Sequence, residues 1–257
     1  MHPEPLFWGI DLYSICIGIG VLGVLIVLRI GFDKLGIKAK LFNMCLIIAI
    51  ASVVIGYGFA VLFQAFYNFL ASGTFRIAND TGSTFYGGLI GGVITVMAGY
   101  FVVGHFLFPD GYHKKQIFNA LSVGAACVTV CHGFGRIGCL MAGCCYGHDT
   151  DAWYGIYMHT THTHVVPTQL FEALFLFALS AILIYKIFIH KPEYNLSLYM
   201  VAYGIWRYFI EYVRADYRGD SPIPGLTPSQ LIAILMVAGG FAIFFIERVL
   251  RKKGAIA

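Results

Sequence analysis

The chain has 257 residues, 59% of them hydrophobic and only 12% charged, with a formal net charge of +4 and a mean hydropathy of +0.77. A soluble domain carries roughly 25% charged residues, so a soluble globular fold is excluded and an all-α, polytopic integral membrane protein is expected. Seven cysteines, an odd number lying mostly in or beside apolar segments, exclude a secreted disulfide framework.

The opening segment Met1 to Trp8 has neither a basic run nor a small-residue cleavage site. The first apolar segment is therefore expected to remain as a helix. Seven apolar segments follow, near residues 10–30, 44–71, 86–108, 116–132, 168–189, 196–213 and 228–248. Each approaches the roughly 20 residues that span a bilayer at about 1.5 Å per residue. They are read as one transmembrane domain over 1–257, with an outer-side arm at about 133–167. Gly18, Gly20 and Gly23, and again Gly133, Gly135 and Gly138, spell G-x-G-x-x-G. Neither follows a strand of a βαβ unit, so a dinucleotide fingerprint is rejected. The first set, like Gly87, Gly88, Gly91 and Gly92, is expected to let helices pack closely.

All nine lysines fall in alternate loops: Lys34, Lys38 and Lys40; Lys114 and Lys115; Lys186 and Lys191; Lys252 and Lys253. Arg29, Arg248 and Arg251 join them, leaving Arg76, Arg136, Arg207, Arg214 and Arg218 on the other side. The positive-inside rule makes the lysine side cytoplasmic. The N-terminus is then outside, the C-terminus inside, and the stretch His132 to Gly147 on the outer side.

That stretch organises the chain. Arg136 sits among glycines after an apolar run, and charge at membrane depth is a functional hypothesis by default. The glycines predict irregular backbone, which membranes tolerate only where it is packed in protein or lines a polar cavity. Arg207 and Glu211 are four apart, share a helix face and are expected to pair, with Arg214 continuing the chain of charges. Two arginines on different outer-side segments suit a phosphodiester, because guanidinium is planar, always charged and bonds bidentately. Gln169 and Glu172, at the start of the fifth segment, offer partners to an arginine, although a first-turn acid also suits a helix dipole. Cys139, Cys144, Cys145, Cys127, Cys131 and His132 invite a metal reading. Cys139-x₄-Cys144 is looser than the usual C-x₂-C and lacks a second pair. The plain reading is small residues packing a tight loop, with no metal and no cofactor expected. His159, His162 and His164 are read as part of a solvated outer loop.

Ordered blocks along nearly the whole chain resemble the bacterial prolipoprotein diacylglyceryl transferases. They are Trp8-Gly9 with Leu12-Tyr13, Tyr86-Gly87-Gly88-Leu-Ile-Gly, and Gly135-Arg136-Ile-Gly138-Cys139. Pro167-Thr-Gln169-Leu-Phe-Glu172, Tyr203-Gly-Ile-Trp-Arg207 with Glu211, and Leu226-Thr-Pro-Ser-Gln230 complete the set. The resemblance implies transfer of the diacylglyceryl group of phosphatidylglycerol, taken from the outer leaflet of the bacterial plasma membrane, to a lipobox cysteine of a prolipoprotein. Glycerol phosphate leaves and a thioether forms; nucleic acid is not an expected partner. By the same resemblance Arg136 and Arg207 hold the phosphate. Tyr13, Gly87, Gly88, Gly135, Gly138, Cys139, Gln169, Glu172, Tyr203 and Glu211 shape the substrate site.

Four departures stand out. Where the family has histidine, asparagine and a second histidine, this chain has Tyr86, Cys139 and Val166, and the acid that often follows the signature is missing near Cys144. A tyrosine near pKa 10 is a poor base for a thiol near 8.5. Either His132 delivers an imidazole to the same cavity, or the arginines themselves favour thiol ionisation. Three other readings stay open: a divergent paralogue lipidating another acceptor, a non-catalytic phospholipid-binding protein, and a metal or redox protein built on the cysteines.

Overall fold

The computed structural model describes residues 9–78, 81–215 and 223–257, with the side chains of all but Ala71, Phe85 and Tyr86. The chain is helical, in the order α1 (Leu12–Lys34), α2 (Ala39–Ser72), α3 (Phe85–Leu107), short α4 (Tyr112–Lys115) and α5 (Ile117–Ala142). There follow strands β1 (Ile156–Met158) and β2 (Thr163–Val165), then α6 (Thr168–Phe188), α7 (Asn195–Ile210), a 3₁₀ turn at Glu211–Val213, and α8 (Pro228–Lys252). Among the described residues, six helices are long and apolar enough to cross a membrane; α7, with 16 residues, is shorter. Trp8 and Arg218 lie outside the described residues.

The chain divides into two units. The unit of residues 37–117 is built on α2 against α3. Their contact is smooth because a methyl added at Gly87 would lie 2.7 Å from Phe63 Cβ, and one at Gly91 2.5 Å from Phe59 Cβ. Close helix approach through small residues is the usual membrane solution. Large apolar side chains such as Ile47, Val53 and Val54 stay exposed, as lipid-facing positions do.

The other unit holds residues 1–36 and 118–257. Here the sequence expectation for residues 133–142 needs correction: the backbone there is regular helix, not a loop. Its glycines serve packing. A methyl at Gly133 would lie 2.7 Å from Phe177 of α6, and one at Gly138 2.9 Å from Tyr13 of α1. The helix stops at Gly143, whose φ of +71° takes the left-handed conformation that glycine adopts without strain. The arm that follows is an antiparallel hairpin pairing Ile156 with Val165, Tyr157 with His164 and Met158 with Thr163. Met158 and Val165 are fully buried, so the arm carries a small core of its own. His164 sits in β2 and His162 at the turn, with φ of +59°, so the histidine run is a structured hairpin rather than a loose loop. The start of α8 is fixed by a cap: Thr227 and Gln230 form a reciprocal capping box there, with Pro228 inside it.

Candidate active site

Helices α5 and α7 end, and α6 and α8 begin, at one end of the second-described unit, and charged side chains converge there. Glu172, one turn into α6, has no exposed surface. Its Oε2 lies 3.0 Å from Arg136 Nε and 4.0 Å from Arg214 Nη1. Its Oε1 accepts a 2.7 Å hydrogen bond from the Tyr203 hydroxyl and stands 3.9 Å from His132 Nε2. A carboxylate at such depth is tolerated only when paired and hydrogen-bonded.

Glu211 anchors the second half. Its Oε2 lies 2.7 Å from Arg207 Nη2 and 3.8 Å from Arg214 Nε. Its Oε1 accepts from the Thr227 hydroxyl at 3.0 Å. Arg207 Nη2 also donates to Ser229 Oγ at 2.8 Å. The Arg207–Glu211 pair is local, set by i, i+4 spacing; the Arg136–Glu172 pair joins two helices. Among the described residues the cluster therefore sets the guanidiniums of Arg136, Arg207 and Arg214 around the carboxylates of Glu172 and Glu211. Arg207 Nη1 is buried with no hydrogen-bond partner among the described residues. Buried donors are normally satisfied, so a guanidinium donor left over here calls for a further acceptor, for which the oxygen of an anion is well suited.

A thiol group flanks this cluster. Gly143 turns the chain out of α5, and Cys145 is itself left-handed, with φ of +64°. The Gln169 side-chain amide donates to the Cys144 carbonyl and the Thr168 hydroxyl to the Cys145 carbonyl, pinning the turn to the start of α6. This gathers the sulfurs of Cys139, Cys144 and Cys145 within 4.8 Å of one another. Hydrogen bonds from the Cys139 and Cys144 thiols, and then from Arg214, hold the Cys145 thiol below its ordinary pKa. The arm braces Arg214, which follows the 3₁₀ turn: Gly147 bridges to it in antiparallel fashion, and His148 N–H donates to the Val213 carbonyl at 3.0 Å.

Most residues singled out in the sequence meet here. Arg136, Arg207, His132, Glu172, Tyr203 and Glu211 are in one network. Tyr13 packs by Gly138, Gly135 faces Ile17, Cys139 joins the thiols, and Gln169 braces a backbone carbonyl instead of an arginine. Gly87 and Gly88 belong to the other unit, where they pack on α2. Tyr86 is in the first turn of α3, its side chain outside the described residues. His132 Nε2 turns toward Glu172 and the Tyr203 hydroxyl, the latter 3.5 Å away. Sequence reasoning passed over Ser229 and Thr227 as partners of the charges. Their signal was the capping pattern and the Leu226 to Gln230 block.

A family model and several relatives match this sequence. The family model described as prolipoprotein diacylglyceryl transferase matches residues 6–246. The chain is 29% identical to phosphatidylglycerol–prolipoprotein diacylglyceryl transferase 2 of Clostridium perfringens, covering 96% of this chain and 95% of that one. It is 30% identical to the corresponding transferase of Clostridium tetani, covering 92% of each, and 28% identical to that of Xylella fastidiosa, covering 83% and 79%.

Proposed function

The chain belongs to the prolipoprotein diacylglyceryl transferase family, and from that membership we propose that it moves the diacylglyceryl group of phosphatidylglycerol to the lipobox cysteine of a prolipoprotein. The site opens on the outer side of the bacterial plasma membrane, in keeping with the placement of the lysines. The observation that carries the reading is Arg207 Nη1, a buried guanidinium donor with no hydrogen-bond partner among the described residues, on an arginine otherwise held by Glu211 and Ser229. A phosphodiester oxygen supplies the acceptor that this donor lacks.

In the reaction the acceptor cysteine gives up its thiol proton to solvent, its sulfur attacks the glyceryl carbon of the diacylglyceryl group, and the bond from that carbon to the phosphate oxygen breaks. The electron pair leaves with glycerol phosphate, which gains a second negative charge. Arg207 and Arg136 meet that growing charge, an interaction stronger in the transition state than in the bound lipid, which is the condition for catalysis. Glu211 and Glu172 hold the two guanidiniums in place, Tyr203 orients Glu172, and His132 braces the pair from α5. Tyr13, Gly135, Gly138 and Gln169 shape the surrounding wall.

A transfer assay on the full chain in phosphatidylglycerol nanodiscs with a lipobox peptide tests this. A gain of diacylglyceryl mass on the peptide, with release of glycerol phosphate, both lost in Arg136→Ala, is expected. Glycerol phosphate without peptide modification would replace the acceptor. Silence in both channels from folded protein would overturn the enzymatic reading in favour of phospholipid binding.

A further inference from the structure

The geometry points to a thiolate metal site at Cys139, Cys144 and Cys145, binding a zinc-class divalent cation whose open fourth position receives the acceptor cysteine. This rests on the transferase reading above and supplies what that reading lacks, a group that ionises the thiol.

Three cysteine sulfurs lie within 4.8 Å of one another, on one turn at the end of α5. Zinc holds thiolates at about 2.3 Å, which sets tetrahedral sulfurs about 3.8 Å apart, so closure asks for shifts of no more than about 1 Å. The ligating turn is fixed from behind by Gln169 and Thr168, while Cys144 is exposed, leaving an approach for a fourth ligand. Three protein ligands with an open position are the pattern of catalytic rather than structural zinc. Charge also fits. Three thiolates on a divalent cation carry −1, and Arg214 donates to the Cys145 sulfur, an outer-shell contact of the kind that tunes metal sites. Arg136 lies within electrostatic reach of Cys139 and Cys145, so the thiolates and the phosphate-binding arginine are neighbours.

The chemistry balances. The acceptor thiol coordinates and loses its proton to solvent, since a metal-bound thiol is deprotonated. Its sulfur lone pair forms the bond to the glyceryl carbon as the carbon–oxygen bond to phosphate breaks. The product sulfur is a neutral thioether, a weaker ligand, and dissociates. At pH 7 a free thiol of pKa near 8.5 is only about 3% thiolate, so full ionisation raises the reactive population by about 30-fold at most.

The test uses the full chain, reduced, in nanodiscs. After zinc loading and dialysis one metal per chain is expected. Cys144→Ser, at the exposed position, is expected to weaken retention, and the triple Cys→Ser variant to abolish it. Cobalt in place of zinc is expected to show thiolate-to-metal charge-transfer absorption that changes on adding the lipobox peptide but not its Cys→Ser version. Chelation is expected to slow transfer by about 10- to 30-fold at pH 7, with the deficit shrinking toward pH 9. No retained metal, a disulfide among the three in the purified protein, or a cobalt spectrum blind to the peptide would each overturn the inference. Transfer lost in Arg207→Lys but untouched by chelation would sink the metal site and leave the transferase. A peptide-sensitive metal site without transfer would do the reverse.

Discussion

Arg207 and Arg136 carry the same charge in different ways. Arg207 is held by Glu211 and Ser229 with one nitrogen spare, so its planar fork is what a phosphate would use. Arg207→Lys keeps the charge but loses the fork; kcat is expected to fall by about 100-fold with little change in thermal stability. Steady-state rates beside a melting curve check this. Glu172 answers to a different measurement. Removing it in Glu172→Ala leaves Arg136 buried without its partner, and the expected loss is roughly 3–5 kcal/mol of stability. Thermal unfolding in nanodiscs reads it, and Arg136→Met in the same chain should restore part of the loss. Sequence alone exposed the Arg207–Glu211 pair because helical spacing makes it local. It did not expose the Arg136–Glu172 pair, since nothing in spacing says which helices meet. Glu172 read equally well as an acid suited to a helix dipole until its complete burial was known.

At the scale of elements, α5 is where reading and structure part. Glycines in a run suggest loop, because glycine costs a helix about 1 kcal/mol; here that cost is offset by the close approach of Phe177 and Tyr13, a tertiary effect no local pattern announces. The glycines of α3 were legible because an unbroken apolar run surrounds them. The arm gives a sharper case. A methyl at Gly147 would lie 2.6 Å from the Val213 carbonyl, so Gly147→Val must part the strand that delivers Arg214. Stability is expected to drop by about 1–3 kcal/mol, and transfer to fall with it. Hydrogen exchange at His148, whose N–H bonds to the Val213 carbonyl, should speed up in that variant while α8 stays protected.

For the whole molecule, hydropathy carried the fold class, because a bilayer demands long apolar helices whatever their partners. It carried the grouping of helices poorly, since lipid-facing and partner-facing surfaces are equally apolar. Topology can be checked directly. With Cys144 as the single cysteine, a membrane-impermeant maleimide is expected to label intact cells. A single Lys253→Cys should stay unlabelled until lysis, and the opposite pattern would invert the chain. The shared carboxylate also sets an order of biogenesis. Arg136 is made with α5, while Glu172 arrives only with the next helix. An arginine alone at mid-bilayer costs roughly 2.5–3.5 kcal/mol on insertion scales, but Arg136 sits near the end of its helix, within reach of water. The nascent chain is then expected to keep its arginine at the membrane boundary until α6 brings Glu172, so truncation before Thr168 should weaken the insertion of α5 in a translocation assay.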